Sequence, residues 1–276
     1  MVDLLVIGGS GLLGLRITRL AQLAGHSVVA TFHASAPPAN SADWRQLDIR
    51  RRDDVTALAL DVRPDAVINA AYRKSDWEVT ADGAAHVALA AAAAGARLVH
   101  VSSDAIFSGA EPSYDETRLP DPLTSYGAAK AAAETAVKGI VPAAVIARTS
   151  LTIGDGDSPP ERLVHTLAAG AAGILFADEV RCPVDVIDLA SALLELAASR
   201  HAGICNLAGT DAISRYELGL LIAARDGLDA AALPVGPRPA TVGIGALDLR
   251  LDCTKTQARL NTRLRGAREF LAPAPA

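Results

Sequence analysis

The sequence has 276 residues, of which 50% are hydrophobic and 21% are charged, and its formal net charge is -5. This length suits one large domain or a large and a small one, and it allows a substantial hydrophobic core. The acidic balance argues against nucleic acid or an anionic membrane surface as a partner, because proteins that bind these usually present a basic face.

Short apolar runs and helical repeats alternate through the first half of the chain. The run "DLLVIGG" is typical of a buried parallel strand, and "LLGLRITRLAQLAG" has apolar residues at helical spacing before a glycine stop. Further strands are expected at "HSVVATF", "WRQLDI", "DAVINAA", "RLVHVSS" and "AAVIARTS", with helices at "RDDVTALALD", 80–94 and 121–139. This alternation predicts an α/β fold with a doubly wound parallel sheet of the Rossmann type.

The pattern is less regular after Ser150. Residues 176–199 begin extended and end as a helix, and "GICNLAG" indicates another short strand, whereas the proline- and glycine-rich residues 233–245 predict a loop. We therefore expect a dinucleotide-binding domain over residues 1–150. Residues 151–276 are expected to form a smaller, partly interleaved region that mainly binds substrate, with some segments returning to the sheet.

The sequence shows no targeting segment and no pattern of metal ligands. Cys182, Cys205 and Cys253 are far apart and form no cluster with histidine, so we expect buried thiols and no metal site. The N-terminus has an acid at Asp3 and no basic segment, and the longest apolar run, 83–96, is too short to span a bilayer. These features predict a cytoplasmic protein without a membrane span.

A glycine-rich turn, "GGSGLLG", separates the first strand from the first helix. Gly11 and Gly14 form GxGxxG with Gly9 and GxxGxxG with Gly8, and both spacings suit a phosphate-binding turn. Residues without a Cβ let the backbone approach a pyrophosphate, and the N–H groups at a helix N-terminus favour that anion. The residues expected to bind a nicotinamide dinucleotide here are Gly8, Gly11, Leu12, Leu13 and Gly14.

The choice between NADP(H) and NAD(H) depends on the end of the second strand. An NAD site often has an acid there to bind the ribose hydroxyls, and no acid occurs in residues 30–38. His33, Ser35 or Arg16 can contact a 2′-phosphate instead. The sequence therefore favours NADP(H), with NAD(H) as the alternative.

Asp48 and Ile49 end the third predicted strand. Ligands of such sheets bind in the crevice outside the carboxyl ends of the strands, so we expect both residues to meet the adenine of the cofactor. The alternative for Asp48 is a turn residue or a helix N-cap.

The segment "SYGAAK" places Tyr126 and Lys130 four residues apart on a predicted helix. Side chains at this spacing share a face, and a nearby ammonium favours the phenolate, so we expect Lys130 to lower the pKa of Tyr126. Ser103 ends the strand that precedes this helix, where its hydroxyl can hydrogen-bond a reacting oxygen. The glycine turn, the serine and the Tyr–Lys pair together predict transfer of a proton and a hydride.

These segments resemble the extended short-chain dehydrogenase/reductases, and within them the dTDP-4-dehydrorhamnose reductase-like branch. The resemblance covers most of the chain through "GGSGLLG", "LDIR", "VINAAY", "VSSDAIFSG", "SYGAAK", "ARTS", "RCPVDVIDLA" and "LDCTKTQARL". It implies that Ser103, Tyr126 and Lys130 are catalytic, with Tyr126 protonating the carbonyl oxygen while the nicotinamide delivers hydride to the carbon. The further cofactor contacts that it implies are Ala70, Ala71, Tyr72, Ser102, Tyr126 and Lys130.

The sequence departs from the family around the expected substrate. Ala105 and Leu151 stand where the family usually has aromatic residues, and Arg181 is the candidate for a substrate phosphate, with a salt bridge as its alternative. The expected activity is an NADP(H)-preferring reduction of a keto group on a nucleotide-activated sugar of the 4-keto-deoxysugar type, or on a related small ketone.

Two other functions stay open at this point. One is a sugar-nucleotide epimerase or dehydratase that retains NAD, since such relatives share the same three catalytic residues. The other is a non-catalytic NADP-binding subunit that regulates another enzyme, as a relative of the reductase branch does. A homodimer is the expected assembly for this fold.

Overall fold

The computed structural model describes residues 2–34, 42–154 and 156–273. The described strands are β1 (Asp3–Ile7), β2 (Ser27–Phe32), β3 (Asp43–Gln46), β4 (Ala66–Asn69), β5 (Arg97–Ser103), β6 (Val145–Thr149), β7 (Thr152–Ile153), β8 (Leu175–Phe176), β9 (Val180–Arg181), β10 (Val184–Asp185), β11 (Gly203–Leu207), β12 (Ile213–Ser214) and β13 (Val235–Gly236). The α-helices are α1 (Leu12–Leu23), α2 (Arg52–Val62), α3 (Gly83–Ala94), α4 (Ser125–Ile140), α5 (Pro159–Ala168), α6 (Val186–Ala198), α7 (Arg215–Asp226), α8 (Thr254–Gln257) and α9 (Ala267–Phe270).

Seven of these strands form one sheet in the order β11-β6-β5-β4-β1-β2-β3, and all of its pairings are parallel. The chain runs from β1 outward to β3, returns to β4 on the other side of β1 and continues towards β11. This reversal of direction beside β1 creates the crevice in which doubly wound sheets bind their ligands. The predicted α/β fold of the Rossmann type is confirmed.

Two hydrophobic layers cover the faces of this sheet. One contains α1 and α6 and includes Ile17 and Leu193, and the other contains α2, α3 and α4 and includes Val87 and Val137. Both layers are apolar because strands that are covered on both faces expose neither side to water. The carboxyl edge of the sheet stays open for the loops that follow each strand.

Residues after position 150 contribute to two different parts of the molecule. The strand β11 pairs with β6 inside the sheet, and α6 packs against α1. In contrast, α5, α7 and α9 surround a separate apolar cluster that includes Leu167 and Ile222. The predicted domain boundary at residue 150 stays a prediction.

Two predicted elements have different ends in the structure. The third strand is predicted to continue to Asp48, whereas β3 ends at Gln46. The helix predicted from Asp121 begins at Ser125, where the hydroxyl of Thr124 caps the N-terminus of α4. Caps and turns, rather than the hydrophobic period, determine where these elements end.

No helix within the described ranges is long and apolar enough to cross a membrane. The same residues contain no group of three or more His, Cys, Asp or Glu side chains placed to hold a metal ion. The three cysteines are free thiols, and burial raises the pKa of Cys182 to about 11 and that of Cys253 to about 12. A thiol with a raised pKa is a weak nucleophile, so these residues act as small apolar side chains.

A buried ion pair joins α4 to the sheet. Nη2 of Arg148, on β6, lies 2.8 Å from Oε2 of Glu134, on α4, and the two side chains are 1% and 6% exposed. Nη1 of Arg148 also donates to the carbonyl oxygen of Arg118, and the hydroxyl of Ser102 donates to Oε1 of Glu134 at 2.6 Å. These additional hydrogen bonds satisfy the desolvated charges, as a stable buried pair requires.

Replacing one partner of this pair should destabilise the protein strongly. Arg148→Met is expected to lower the free energy of unfolding by about 3–5 kcal/mol, because Glu134 is left buried without its counter-charge. Arg263→Met is the control, since it breaks an exposed pair with Glu269 and should change stability by less than about 1 kcal/mol. Urea unfolding followed by circular dichroism measures both; similar losses in the two variants would contradict the role of the buried pair.

Candidate active site

Close contacts between backbones determine the shape of the glycine turn. Gly8 has a φ of +80°, and a Cβ there would lie 2.8 Å from the backbone of Ala71. A Cβ at Gly14 would lie 2.2 Å from the carbonyl oxygen of Gly8, so the first turn of α1 touches the end of β1. The N–H of Gly11 donates to the same carbonyl at 3.1 Å. Neither position 8 nor position 14 accommodates a side chain without displacing its neighbour.

The structure places the predicted cofactor residues of this turn together. Gly11 is the N-cap of α1 and Leu12 is its first residue, while Leu13 packs partly against the core of the sheet. The turn therefore presents the N-terminus of a twelve-residue helix to the crevice beside β1. This arrangement fits the pyrophosphate of a dinucleotide, because helix N-terminal N–H groups and the helix dipole favour an anion.

Two buried polar residues that the sequence reading missed hold this turn in place. Thr31, on β2, accepts a hydrogen bond from the N–H of Gly8 through its hydroxyl at 3.0 Å. Asn69, at the end of β4, accepts one from the N–H of Ala71 at 3.1 Å. Since the Asn69 oxygen is an acceptor, its amide nitrogen donates to Nδ1 of the buried His100, 3.2 Å away. A polar residue within an apolar strand is the signal that points to both supports.

His33, Asp48 and Arg50 form a charged group at the ends of β2 and β3. Nη2 of Arg50 lies 2.6 Å from Oδ2 of Asp48, and Nε2 of His33 lies 3.6 Å from the same oxygen. The hydrogen bond from Arg50 lowers the pKa of Asp48 to about 2. Asp48 therefore has the contacts of a turn residue, the alternative considered for it. Ser35 lies outside the described residues.

Ile49 belongs to the core and is 6% exposed. A Cβ on Gly83 would lie 2.7 Å from its Cδ1, and its carbonyl oxygen lies 2.9 Å from Nδ1 of His86. These contacts join the end of β3 to α3. They place its side chain in the core of the sheet, and the expected contact of Ile49 with the adenine stays a prediction.

The start of α4 lies directly against the turn that follows β5. A Cβ on Gly127 would lie 2.0 Å from the carbonyl oxygen of Ala105, so only glycine permits this approach. The approach brings Tyr126 beside Ser103, whose hydroxyl also accepts the N–H of Ala105. The ring of Tyr126 lies 5.9 Å from that of Tyr72, which follows β4. Residues from three loops at the carboxyl edge of the sheet therefore meet at one phenol.

The surroundings of Tyr126 favour its neutral phenol form. Burial raises its pKa above the usual range, the neighbouring Tyr72 and Asp104 raise it further, and a hydrogen bond with Ser103 lowers it in part. The expectation that Lys130 lowers this pKa is therefore corrected, because burial outweighs any stabilisation of the phenolate. A protonated phenol is the form that can donate a proton.

Lys130 follows Tyr126 by one turn of α4 and is 2% exposed. Its ammonium donates to the carbonyl oxygen of Val101 at 2.9 Å and lies 5.2 Å from the ring centre of Tyr72. Burial lowers its pKa from about 10.5 to about 8. The lysine therefore loses its proton more easily than an exposed lysine does.

Ser102 and Ser103 are neighbours with different roles. The hydroxyl of Ser102 is buried and donates to Glu134, and the expected contact of this residue with the cofactor stays a prediction. The hydroxyl of Ser103 donates to Asp104 at 3.2 Å. Asp104, which the sequence reading missed, is buried and also accepts the hydroxyl of Ser150 at 2.7 Å. It keeps the strand-end serine in a network of hydrogen bonds.

The three candidates for substrate contact differ in their surroundings. Arg181 donates to the carbonyl oxygens of Val180, Ala246 and Leu247 and pairs with Glu179 at 3.4 Å. These contacts match the salt bridge considered as its alternative. Leu151 is partly buried against the apolar cluster around α5 and α7, and its expected place near the substrate stays a prediction. Ala105 stays half-buried beside Gly127.

The sheet, the glycine turn and the group of Ser103, Tyr126 and Lys130 define an NAD(P)-dependent oxidoreductase of the short-chain dehydrogenase/reductase class. A family model described as the RmlD substrate binding domain matches residues 2–272, and the chain belongs to this family. The resemblance read from the sequence motifs is confirmed.

Curated relatives have two kinds of name. The probable low-salt glycan biosynthesis reductase Agl14 of Haloferax volcanii is 32% identical over 231 residues, covering 78% of this chain and 77% of the relative. A dTDP-4-dehydrorhamnose reductase of Mycobacterium tuberculosis is 33% identical, covering 77% and 72%. Methionine adenosyltransferase 2 subunit beta of Bos taurus is 26% identical, covering 92% and 81%. The curated relatives therefore include both reductases and a subunit of methionine adenosyltransferase 2.

Solved structures agree with the fold. A hypothetical dTDP-4-dehydrorhamnose reductase from Sulfolobus tokodaii superposes with a TM-score of 0.84 at 26% identity, covering 95% of this chain and 96% of that one. A dTDP-4-dehydrorhamnose reductase of Bacillus anthracis in complex with NADP has a TM-score of 0.84 at 23% identity, covering 98% and 97%. MoeE5 in complex with UDP-glucuronic acid and NAD also has a TM-score of 0.84 at 23% identity, covering 98% and 96%.

Two glycines on α4 provide a matched test of the contact between α4 and the Ala105 turn. Gly127→Ala should lower kcat by roughly 10²-fold, because the added Cβ displaces Tyr126 from Ser103. Gly139→Ala is the control, since no atom lies within 4 Å of a Cβ there. It should leave kcat unchanged and raise stability by about 0.5–1 kcal/mol. Steady-state kinetics measures kcat and urea unfolding measures stability for the two variants. An equal kcat in both would refute the close contact between α4 and the Ala105 carbonyl.

The lowered pKa of Lys130 predicts a pH dependence of stability. Between about pH 8 and pH 10 the unfolded chain binds more protons at this lysine than the folded protein does. The free energy of unfolding should therefore rise with pH in this window, relative to Lys130→Met, by up to about 1.4 kcal/mol per pH unit. Lys138→Met, which removes an exposed lysine from the same helix, is the control. A difference between wild type and Lys130→Met that does not change with pH would contradict the lowered pKa.

Proposed function

We propose that this protein is an NADP(H)-preferring ketoreductase that reduces a keto group of a nucleotide-activated sugar or a related small ketone. The observation that carries the proposal is the phenol of Tyr126 beside Ser103, one helical turn from Lys130, at the same sheet edge as the glycine turn. Names of relatives support a reductase of the sugar-nucleotide type.

The residues present fit a nicotinamide dinucleotide. Gly8 and Gly14 have no room for a side chain, which leaves a backbone cradle at the N-terminus of α1. Ala70, Ala71 and Tyr72 form the loop that follows β4 on the other side of the crevice, and Tyr72 is half-exposed there. The reduced nicotinamide, when bound, supplies a hydride to the substrate carbon.

The chain's own groups handle the oxygen and the proton. When substrate binds, the hydroxyl of Ser103 turns from Asp104 and donates its hydrogen bond to the substrate carbonyl oxygen, which it orients. Tyr126 then transfers its phenolic proton to that oxygen as negative charge develops, so the ketone becomes an alcohol. The ammonium of Lys130 stabilises the phenolate that remains until a proton from solvent restores the phenol. One ketone, one hydride and one proton therefore give one alcohol.

NADP(H) is the preferred cofactor of the proposal. No acid occurs in residues 30–38 to repel a 2′-phosphate. His33 and Arg50 provide side-chain nitrogens at the ends of β2 and β3, although Asp48 neutralises part of this charge. The solved relative from Bacillus anthracis is a complex with NADP, whereas MoeE5 is a complex with NAD.

A regulatory subunit is the second candidate function. The observation that favours it is the similarity to methionine adenosyltransferase 2 subunit beta over 92% of this chain. The presence of Ser103, Tyr126 and Lys130 together at one site favours catalysis instead. Turnover of NADPH with a panel of keto sugars, followed at the nicotinamide absorbance band, distinguishes the two, because a regulatory subunit would bind NADPH without consuming it.

Removing the phenolic hydroxyl should abolish most of the activity. Tyr126→Phe is expected to lower kcat by roughly 10²–10⁴-fold, because the oxygen of the product loses its proton donor. The dissociation constant of NADPH should change little, which fluorescence titration measures. Tyr216→Phe, on α7 in the separate apolar cluster, is the control and should keep full activity. Full turnover by Tyr126→Phe would show that another group supplies the proton.

A further inference from the structure

The loop that follows β4 is held in a fixed shape. The hydroxyl of Thr80 accepts a hydrogen bond from the N–H of Arg73 at 3.1 Å and donates one to the carbonyl oxygen of Arg73 at 2.8 Å. Thr80 is buried within a π-helical turn, Glu78–Asp82, and the N–H of Asp76 donates to the same carbonyl at 3.0 Å. The backbone next to Arg73 therefore has a defined position relative to the site.

This loop places Lys74 over the ring of Tyr126. The ammonium of Lys74 lies 5.8 Å from the ring centre, and the residue is exposed. Within the described parts of the chain, Lys74 forms no ion pair with a carboxylate. A cation–π contact at an exposed site contributes only about 0.5–1 kcal/mol, which is too little to keep the ammonium from a better partner.

The two lysines next to Tyr126 have different environments. Lys130 is buried and its ammonium bonds to a backbone carbonyl, so it is unavailable to a group that enters from solvent. Lys74 is exposed on the loop beside Tyr72, and Arg73 next to it is exposed as well. Two consecutive cations at the edge of the site contrast with the net charge of -5 of the chain. Local positive charge of this kind attracts an anionic ligand.

We propose that Lys74 is a substrate-binding residue that holds an anionic group of the ketone, a phosphate or a carboxylate. The proposal rests on the proposed function and adds to it the charge of the substrate next to the reacting carbonyl. A charge-assisted hydrogen bond joins nitrogen and oxygen at about 2.8 Å. The anionic group therefore lies near the ring of Tyr126.

Binding of three nucleotides by the full chain tests this role without requiring turnover. Isothermal titration in saturating NADP⁺ is carried out with UDP, UDP-glucose and UDP-glucuronic acid, which differ in the sugar and its carboxylate. Lys74→Ala should weaken binding of at least one of them by about 10-fold or more, and Lys74→Arg should restore most of the affinity. Lys138→Ala, an exposed lysine on α4, is the matched control and should bind all three like the wild type.

The pattern of losses identifies the group that Lys74 holds. Equal losses for all three nucleotides indicate the diphosphate, and a loss confined to UDP-glucuronic acid indicates the carboxylate. Unchanged affinities in Lys74→Ala, or a loss of NADP⁺ binding instead, would overturn the proposal. A wild type that binds NADP⁺ but none of the three nucleotides would refute the nucleotide-sugar part of the proposed function, and with it the role of Lys74. The wild-type titrations therefore distinguish failure of the role proposed for Lys74 from failure of the proposed function.

Discussion

The site depends on the buried ion pair between Glu134 and Arg148, because this pair holds α4 against β5 and β6. The same helix carries Lys130 one turn and Tyr126 two turns nearer its N-terminus than Glu134. Charges so deeply buried are tolerated only when every remaining donor and acceptor is satisfied, and Ser102 and the Arg118 carbonyl provide those contacts. A polar network as well as apolar packing therefore fixes the helix that carries the phenol.

Two glycines let a helix N-terminus contact the backbone that follows a strand. At Gly14 the first turn of α1 touches the Gly8 carbonyl, and at Gly127 the first turn of α4 touches the Ala105 carbonyl. Both contacts occur at the carboxyl edge of the parallel sheet, where the order of the strands opens a crevice beside β1. The helix that begins at the glycine turn and the helix that carries Tyr126 thus approach the same crevice.

Burial decides the protonation states in this crevice. It raises the pKa of Tyr126 and lowers that of Lys130, so the phenol keeps its proton while the lysine loses its proton more readily. A tyrosine in its neutral form suits the direction of ketone reduction, in which the enzyme donates a proton. Lys74, which is exposed, adds a cation near the ring of Tyr126, where we propose that it meets the substrate.

Local patterns were enough to predict the parallel sheet, the glycine turn and the Tyr126–Lys130 pair, since each depends on periodicity or on residues a few positions apart. They were not enough to predict that Leu151 packs into a separate core or that Ser102 bonds to Glu134. Those contacts join residues that are distant in the chain, and the direction of a side chain there depends on which elements pack together. The hydrogen bonds that Thr31 and Asn69 accept, and the position of Lys74 over Tyr126, also join residues that are distant in the chain, so local patterns did not predict them. Residue type and spacing specify the elements and the chemistry available, whereas packing between elements specifies the partners, the burial and hence the protonation of each group.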